Sequence, residues 1–147
     1  MMHGVRNRLA AALIAVVSVL GAVPALTGCG ATQATPPRPT VRVNERDFRI
    51  SAPKRVQAGD VRLLIHNKGP DSHELLLVRG SKSRLPFRSD GLGIDEDKLG
   101  SALVAVLEPA EVGTHELDVH LEPGRYRLIC NMSGHYMGGM AAEFVVV

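Results

Sequence analysis

The segment Cys130-Asn-Met-Ser-Gly-His135-Tyr-Met-Gly-Gly-Met140 constrains the fold of this chain more than any other. It sets a thiol, an imidazole and a thioether at the spacing Cys-x4-His-x4-Met, between two runs that read as strands, Tyr126 to Cys130 and Ala142 to Val147. A loop joining adjacent strands returns to its start. Cys130 at the end of one strand, Met140 just before the next and His135 between them therefore converge on one point. Gly134, Gly138 and Gly139 allow tight turning and close approach of backbone to that point. These donors are soft or borderline and together suit copper; one Cys, two His and a long axial Met form the ligand set of an electron-transfer copper centre. The bland alternative is a buried Cys with a His and a Met nearby by chance.

The second histidine must come from elsewhere. His73 is the candidate, because it follows the Asn67-Lys-Gly-Pro-Asp-Ser turn and begins the apolar run Glu74 to Arg79. His66, at the end of an expected strand, is its rival. His115 and His120 are an odd number of residues apart on one expected strand, so they point to opposite faces and read as surface or edge residues. Met140 is the expected axial donor, with Met137 as the alternative. Met132, Met137 and Met140 share the loop, either as apolar lining that keeps water off the metal or as soft donors for Cu(I) in transit.

At the other end, Arg6 and Arg8 precede an apolar run from Leu9 to Val23 and then Leu26-Thr-Gly-Cys29. Charge, apolar stretch and small residues in that order make a secretory signal over residues 1–28. The run is short for a bilayer span, which needs about 20 residues. Leu-Thr-Gly-Cys resembles the lipobox of bacterial lipoproteins, which implies cleavage before Cys29 and a diacylglycerol on its thiol. An ordinary cleaved signal or an uncleaved anchor is the alternative; each places the domain outside the cytoplasm. The chain has two cysteines, so lipidation of Cys29 leaves Cys130 without a disulfide partner. A lone thiol in an oxidising compartment needs an explanation, and metal coordination supplies one.

Residues 29–40 are small and Pro-rich and read as a tether. Residues 41–147 suffice for one β-sandwich. Seventeen basic and 15 acidic residues become 15 of each once Arg6 and Arg8 are removed, so no basic face points to nucleic acid. Three Phe, two Tyr and no Trp also argue against stacking platforms for sugars or single strands. Short β-branched and Leu-rich runs alternate with Gly, Pro and Asp turns. The expected strands are Val41 to Val43, Asp47 to Ile50, Val61 to Asn67, Glu74 to Arg79, Leu103 to Leu107 closed by Glu108-Pro109, Thr114 to Leu121, Tyr126 to Cys130 and Ala142 to Val147. Residues 80–101 read as a long polar loop with one helical turn near Asp95 to Leu99. The expected fold is all-β, an antiparallel Greek-key β-sandwich.

Pro123-Gly124-Arg-Tyr126-Arg-Leu-Ile-Cys130, Gly134-His135 and Gly139-Met140 resemble the corresponding pattern of the cupredoxins, the small blue-copper proteins that include plastocyanin, azurin, auracyanin and rusticyanin. The Cys-x4-His-x4-Met spacing is more similar to auracyanin or rusticyanin than to plastocyanin, and Asn67-Lys-Gly69 to His73 also fits. The resemblance implies one type 1 copper held by His73, Cys130, His135 and Met140, and one-electron transfer. Well-studied members often carry an Asn after the first His that braces the Cys-bearing loop; this chain has Glu74, so the resemblance assigns neither that brace nor a reduction potential. The expected partners are redox proteins docking near His135 and, through the lipid on Cys29, a membrane facing the periplasm or cell exterior; the chain is expected to be monomeric. The alternative function is copper delivery or resistance without an electron partner. An enzyme is not expected, because a saturated donor set leaves no open position for a substrate.

Overall fold

The computed structural model describes residues 37–80 and 84–147. The expected signal segment, Cys29 and the tether up to residue 36 lie outside them. The first strand begins at Thr40. Arg38 and Pro39 already bond to the sandwich, Arg38 pairing with Asp118 and the Pro39 carbonyl accepting the Arg62 N–H.

Two sheets form the sandwich. One has the order β2-β1-β4-β7, from β1 (Thr40–Arg46), β2 (Arg49–Ser51), β4 (Gly59–Asn67) and β7 (Gly113–Leu121). The other has the order β3-β9-β8-β5-β6, from β3 (Arg55–Val56), β5 (His73–Arg79), β6 (Leu103–Ala110), β8 (Gly124–Cys130) and β9 (Ala141–Val146). The eight expected strands are present, and β3 is an addition too short to leave a period-2 pattern. Most pairings are antiparallel, as expected, but β1–β4 and β3–β9 are parallel. The cause lies in the first thirty residues of the domain. After β2 the chain crosses at Ala52-Pro53 to the other sheet, so β1 has the hairpin partner β2 on one side and the parallel β4 on the other, and β3 lies beside the last strand, β9.

β6 runs through Pro109 to Ala110 instead of closing there. It is the edge of its sheet, where a proline's missing N–H removes no ladder bond. Between the sheets, Val43, Leu63, Ile65 and Leu121 meet Leu75, Leu77, Tyr126, Leu128 and Phe144, with Cys130 and Met140 at one end of the same cluster. The segment expected to be a polar loop does more than connect. Leu85, Ile94 and Leu99, the last in a 3₁₀ helix over Asp97–Ala102, pack with Leu76, Val78 and Ile129 on the outer face of the second sheet. β5 is thereby covered on both faces, which is why Leu75-Leu76-Leu77-Val78 is apolar without alternation. Among the described residues, no helix is long and apolar enough to cross a membrane.

Candidate metal centre

β8 and β9 are hydrogen-bonded neighbours, and the loop between them closes as the spacing requires. The Cys130 N–H donates to the Met140 carbonyl at 3.1 Å, and the Met140 N–H to the His135 carbonyl at 3.0 Å. Gly134 and Gly139 have φ of +81° and +94°, a region that side-chain-bearing residues seldom occupy. His73 starts β5, the strand paired with β8. Asn67 arranges the turn before it: its amide donates to the Asp71 and Ala110 carbonyls, and its oxygen accepts the Gly69 N–H at 2.7 Å. The polar requirements of that turn are thus met inside the protein.

His73, Cys130 and His135 come together with their donor atoms all within 4.8 Å of one another, and each side chain is buried. The Nδ1 atoms of His73 and His135 lie 3.7 and 3.5 Å from Cys130 Sγ. An ion with trigonal ligands at about 2.3 Å from sulfur and about 2.0 Å from nitrogen, lengths known for zinc, sets sulfur and nitrogen roughly 3.7 Å apart. Both sulfur-to-nitrogen separations therefore suit a metal between these donors. Met140 is completely buried in the core cluster that contains Cys130. A thiolate with two imidazoles suits copper better than it suits hard ions.

The electrostatics suit ligands. Burial, and then the neighbouring His135, hold the His73 pKa below its ordinary value, although Asp47 and Asp71 oppose this; its ring is neutral and has a lone pair to give. Burial pushes the Cys130 thiol up to about 11. The N–H groups of Met132 and Glu74 pull it back, and the Glu45 and Glu74 carboxylates add to the rise. Metal binding here displaces a proton, because the ligand is the thiolate.

The rival residues lie elsewhere. His66 bonds Thr114 Oγ1 at 2.8 Å on the first sheet, His115 bonds the Glu111 carbonyl and His120 bonds Asp60. Met137 is 60% exposed, on the rim, against a fully buried Met140. The brace left unassigned at Glu74 is divided. The Glu74 carbonyl accepts the Asn131 N–H at 3.1 Å. The Asn131 side chain, 1% exposed, accepts the Ile94 N–H at 2.6 Å and donates to the Ile94 carbonyl and to Glu96. The Leu92 carbonyl accepts the Gly134 N–H at 2.7 Å. The segment after β5 therefore clamps the ligand loop from outside.

Two neighbours of the site left no motif in the sequence. The turn between β1 and β2 places Asp47 Oδ1 3.4 Å from His73 Nε2 and sets the Phe48 ring 5.1 Å from the His135 ring. The strand expected from Asp47 to Ile50 begins only at Arg49, and the turn that Asp47 and Phe48 form before it was not foreseen.

The sequence matches no family model and no curated protein. Solved structures do match. The fold is that of the cupredoxins auracyanin and rusticyanin, and His73, Cys130 and His135 are grouped as in a blue-copper site. It is similar to reduced auracyanin from the photosynthetic bacterium Roseiflexus castenholzii, with a TM-score of 0.55 and 16% identity over 74% of this chain and 96% of that one. It is similar also to auracyanin B, with a TM-score of 0.51 and 25% identity over 78% and 92% of the two chains. Rusticyanin matches at a TM-score of 0.50 and 22% identity, over 74% of this chain and 77% of that one.

Proposed function

We propose that the protein is an extracytoplasmic type 1 copper protein that carries single electrons between redox partners and is tethered to a membrane by a lipid on Cys29. The observation that carries the redox reading is the convergence of two imidazole Nδ1 atoms on one buried sulfur at 3.7 and 3.5 Å, with Met140 buried in the same cluster. Cupredoxins of the same fold, auracyanin among them, support it. Copper bound there supplies a one-electron couple.

The protein's own contribution is rigidity and dryness. His73 and Cys130 are fixed on paired strands, His135 is held by the loop bonds around it, and the core excludes water from the sulfur. A site that barely rearranges suits electron transfer, because preorganised donors need no reordering when charge changes. His135, 9% exposed, is the ligand nearest the surface, with the exposed Phe48 and Met137 beside it; this apolar rim is the proposed docking patch for redox partners. A closed donor set argues for electron carriage over catalysis.

The visible spectrum tests the metal assignment. Copper-loaded, oxidised protein should be blue or green and should bleach on reduction, and Cys130→Ser should abolish the colour. A colourless Cu(II) protein, or colour that survives in Cys130→Ser, overturns the assignment. The exposed soft donor Met137 favours copper delivery as the second reading; rapid passage of Cu(I) to an acceptor chelator, without reversible redox, would support that one instead.

A further inference from the structure

We propose that Asp47 is a positioning residue for the metal centre, a carboxylate behind His73 that fixes the imidazole and lowers the reduction potential. The proposal rests on the copper reading above. His73 turns Nδ1 toward Cys130 Sγ, so Nε2 must carry the ring proton when Nδ1 serves a metal. Nε2 is buried without a hydrogen-bond partner. The Asp47 carboxylate stands 3.4 Å from it, slightly beyond hydrogen-bond range. A ligating histidine almost always gives its second N–H to a carboxylate, carbonyl or water, which fixes the tautomer and raises the basicity of the ligand.

Asp47 is also held in place. Its Oδ1 accepts the Asp71 N–H at 3.3 Å. The next residue, Phe48, has φ of +59°, a genuine outlier for a bulky side chain that persists only where the surroundings enforce it. The surroundings are the centre itself: the Phe48 ring lies against His135 and covers Gly138, where a Cβ would come within 2.3 Å of it. One two-residue turn therefore touches both histidines. The Asp47 side chain is 22% exposed, so its charge is poorly screened. A fixed negative charge beside the site favours the more positive copper state and so lowers the potential. Asp71 Oδ2 faces His135 Nε2 at 3.9 Å but is 62% exposed, and water screens it.

The test compares Asp47→Asn, Asp47→Ala and Asp71→Asn, each loaded with copper. Asp47→Asn keeps shape and a carbonyl acceptor but removes the charge. Its potential should rise above that of the unaltered protein, by about 59 mV if Cu(II) affinity falls tenfold relative to Cu(I). Asp47→Ala should lose about 10- to 100-fold in copper affinity, measured against a competing chelator. Asp71→Asn should shift the potential less than Asp47→Asn. An unchanged potential in Asp47→Asn overturns the proposal, whether or not Asp47→Ala folds. An unaltered protein with no thiolate-to-copper band would instead sink the copper reading, and this inference with it. A blue protein indifferent to Asp47 loses only this inference.

Discussion

Glu45 is an acid where the strand pattern calls for an apolar residue. β1 buries Val41, Val43 and Glu45 on one face, and Glu45 is 1% exposed with Oε1 unpartnered. Burial pushes its pKa up from 4.5 to about 7. The folded state therefore binds more protons than the unfolded chain between those pH values, and stability falls as pH rises through that window. Below pH 4.5 both states are protonated and no penalty exists; above pH 7 it is complete, at about 3 kcal/mol from 1.36 kcal/mol per unit. Chemical denaturation of Glu45→Gln and the unaltered protein at pH 4, 6 and 8 checks this. The two should differ little at pH 4, and Glu45→Gln should gain progressively toward pH 8. A constant difference across that range refutes the ionisation account. Alternation predicted that position 45 faces inward, but nothing in the sequence says that an acid there goes without a partner. Cys130, His135 and His73 were legible because their chemistry and spacing mean little apart from a metal. Asp47 and Phe48 were not, because they read as the start of a strand, and only the fold makes them a turn that faces the two histidines.

Among elements, the ligand loop depends on its clamp. The chain from Leu92 to Glu96 bonds Asn131 and Gly134, and the same segment buries Ile94 against β5 and β8. Polarity concealed this role, since a few apolar residues spaced among Gly, Asp and Ser carry no period. Inside the loop the axial question has a definite test. Met140 is buried and Met137 exposed, and an axial thioether binds weakly and chiefly sets the potential. Met140→Leu should keep copper and colour, cost less than about 1.5 kcal/mol as a volume-conserving swap, and raise the potential because a donor favouring Cu(II) is gone. Met137→Leu should shift it much less. Voltammetry on the pair decides: a larger shift from Met137→Leu would transfer the axial role to that residue.

For the molecule as a whole, the two parallel pairings do different work: β3–β9 ties an early strand to the last one, and β1–β4 joins two early strands. β3 holds β9, the strand that leaves the ligand loop, and β1 carries the Asp47–Phe48 turn to the same end as His73. The proposed lipid on Cys29 would hold this domain at a membrane by its N-terminal side. One acyl signal alone binds weakly, whereas a two-chain anchor is stable, so native protein should sediment with membranes and Cys29→Ala should release it or leave it unprocessed. Mass spectrometry of the purified native protein should find a diacylated Cys29; an unmodified N-terminus at another residue would falsify the anchor.

The amino-acid sequence alone disclosed the class of fold and the three donors His73, Cys130 and His135. Turn residues punctuate the strands at short intervals, and Cys-x4-His-x4-Met between two strands can close on only one point. It determined neither the parallel pairings nor the surroundings of the metal. Those depend on residues distant in sequence: β1 beside β4, Leu92 against Gly134, Asp47 behind His73. Periodicity and spacing describe one element at a time, while long-range pairing arises from the joint packing of all of them. The ligands announce themselves because coordination chemistry is local. The groups that tune them do not, because a carboxylate becomes a tuning group only when the fold sets it 3.4 Å from the right nitrogen.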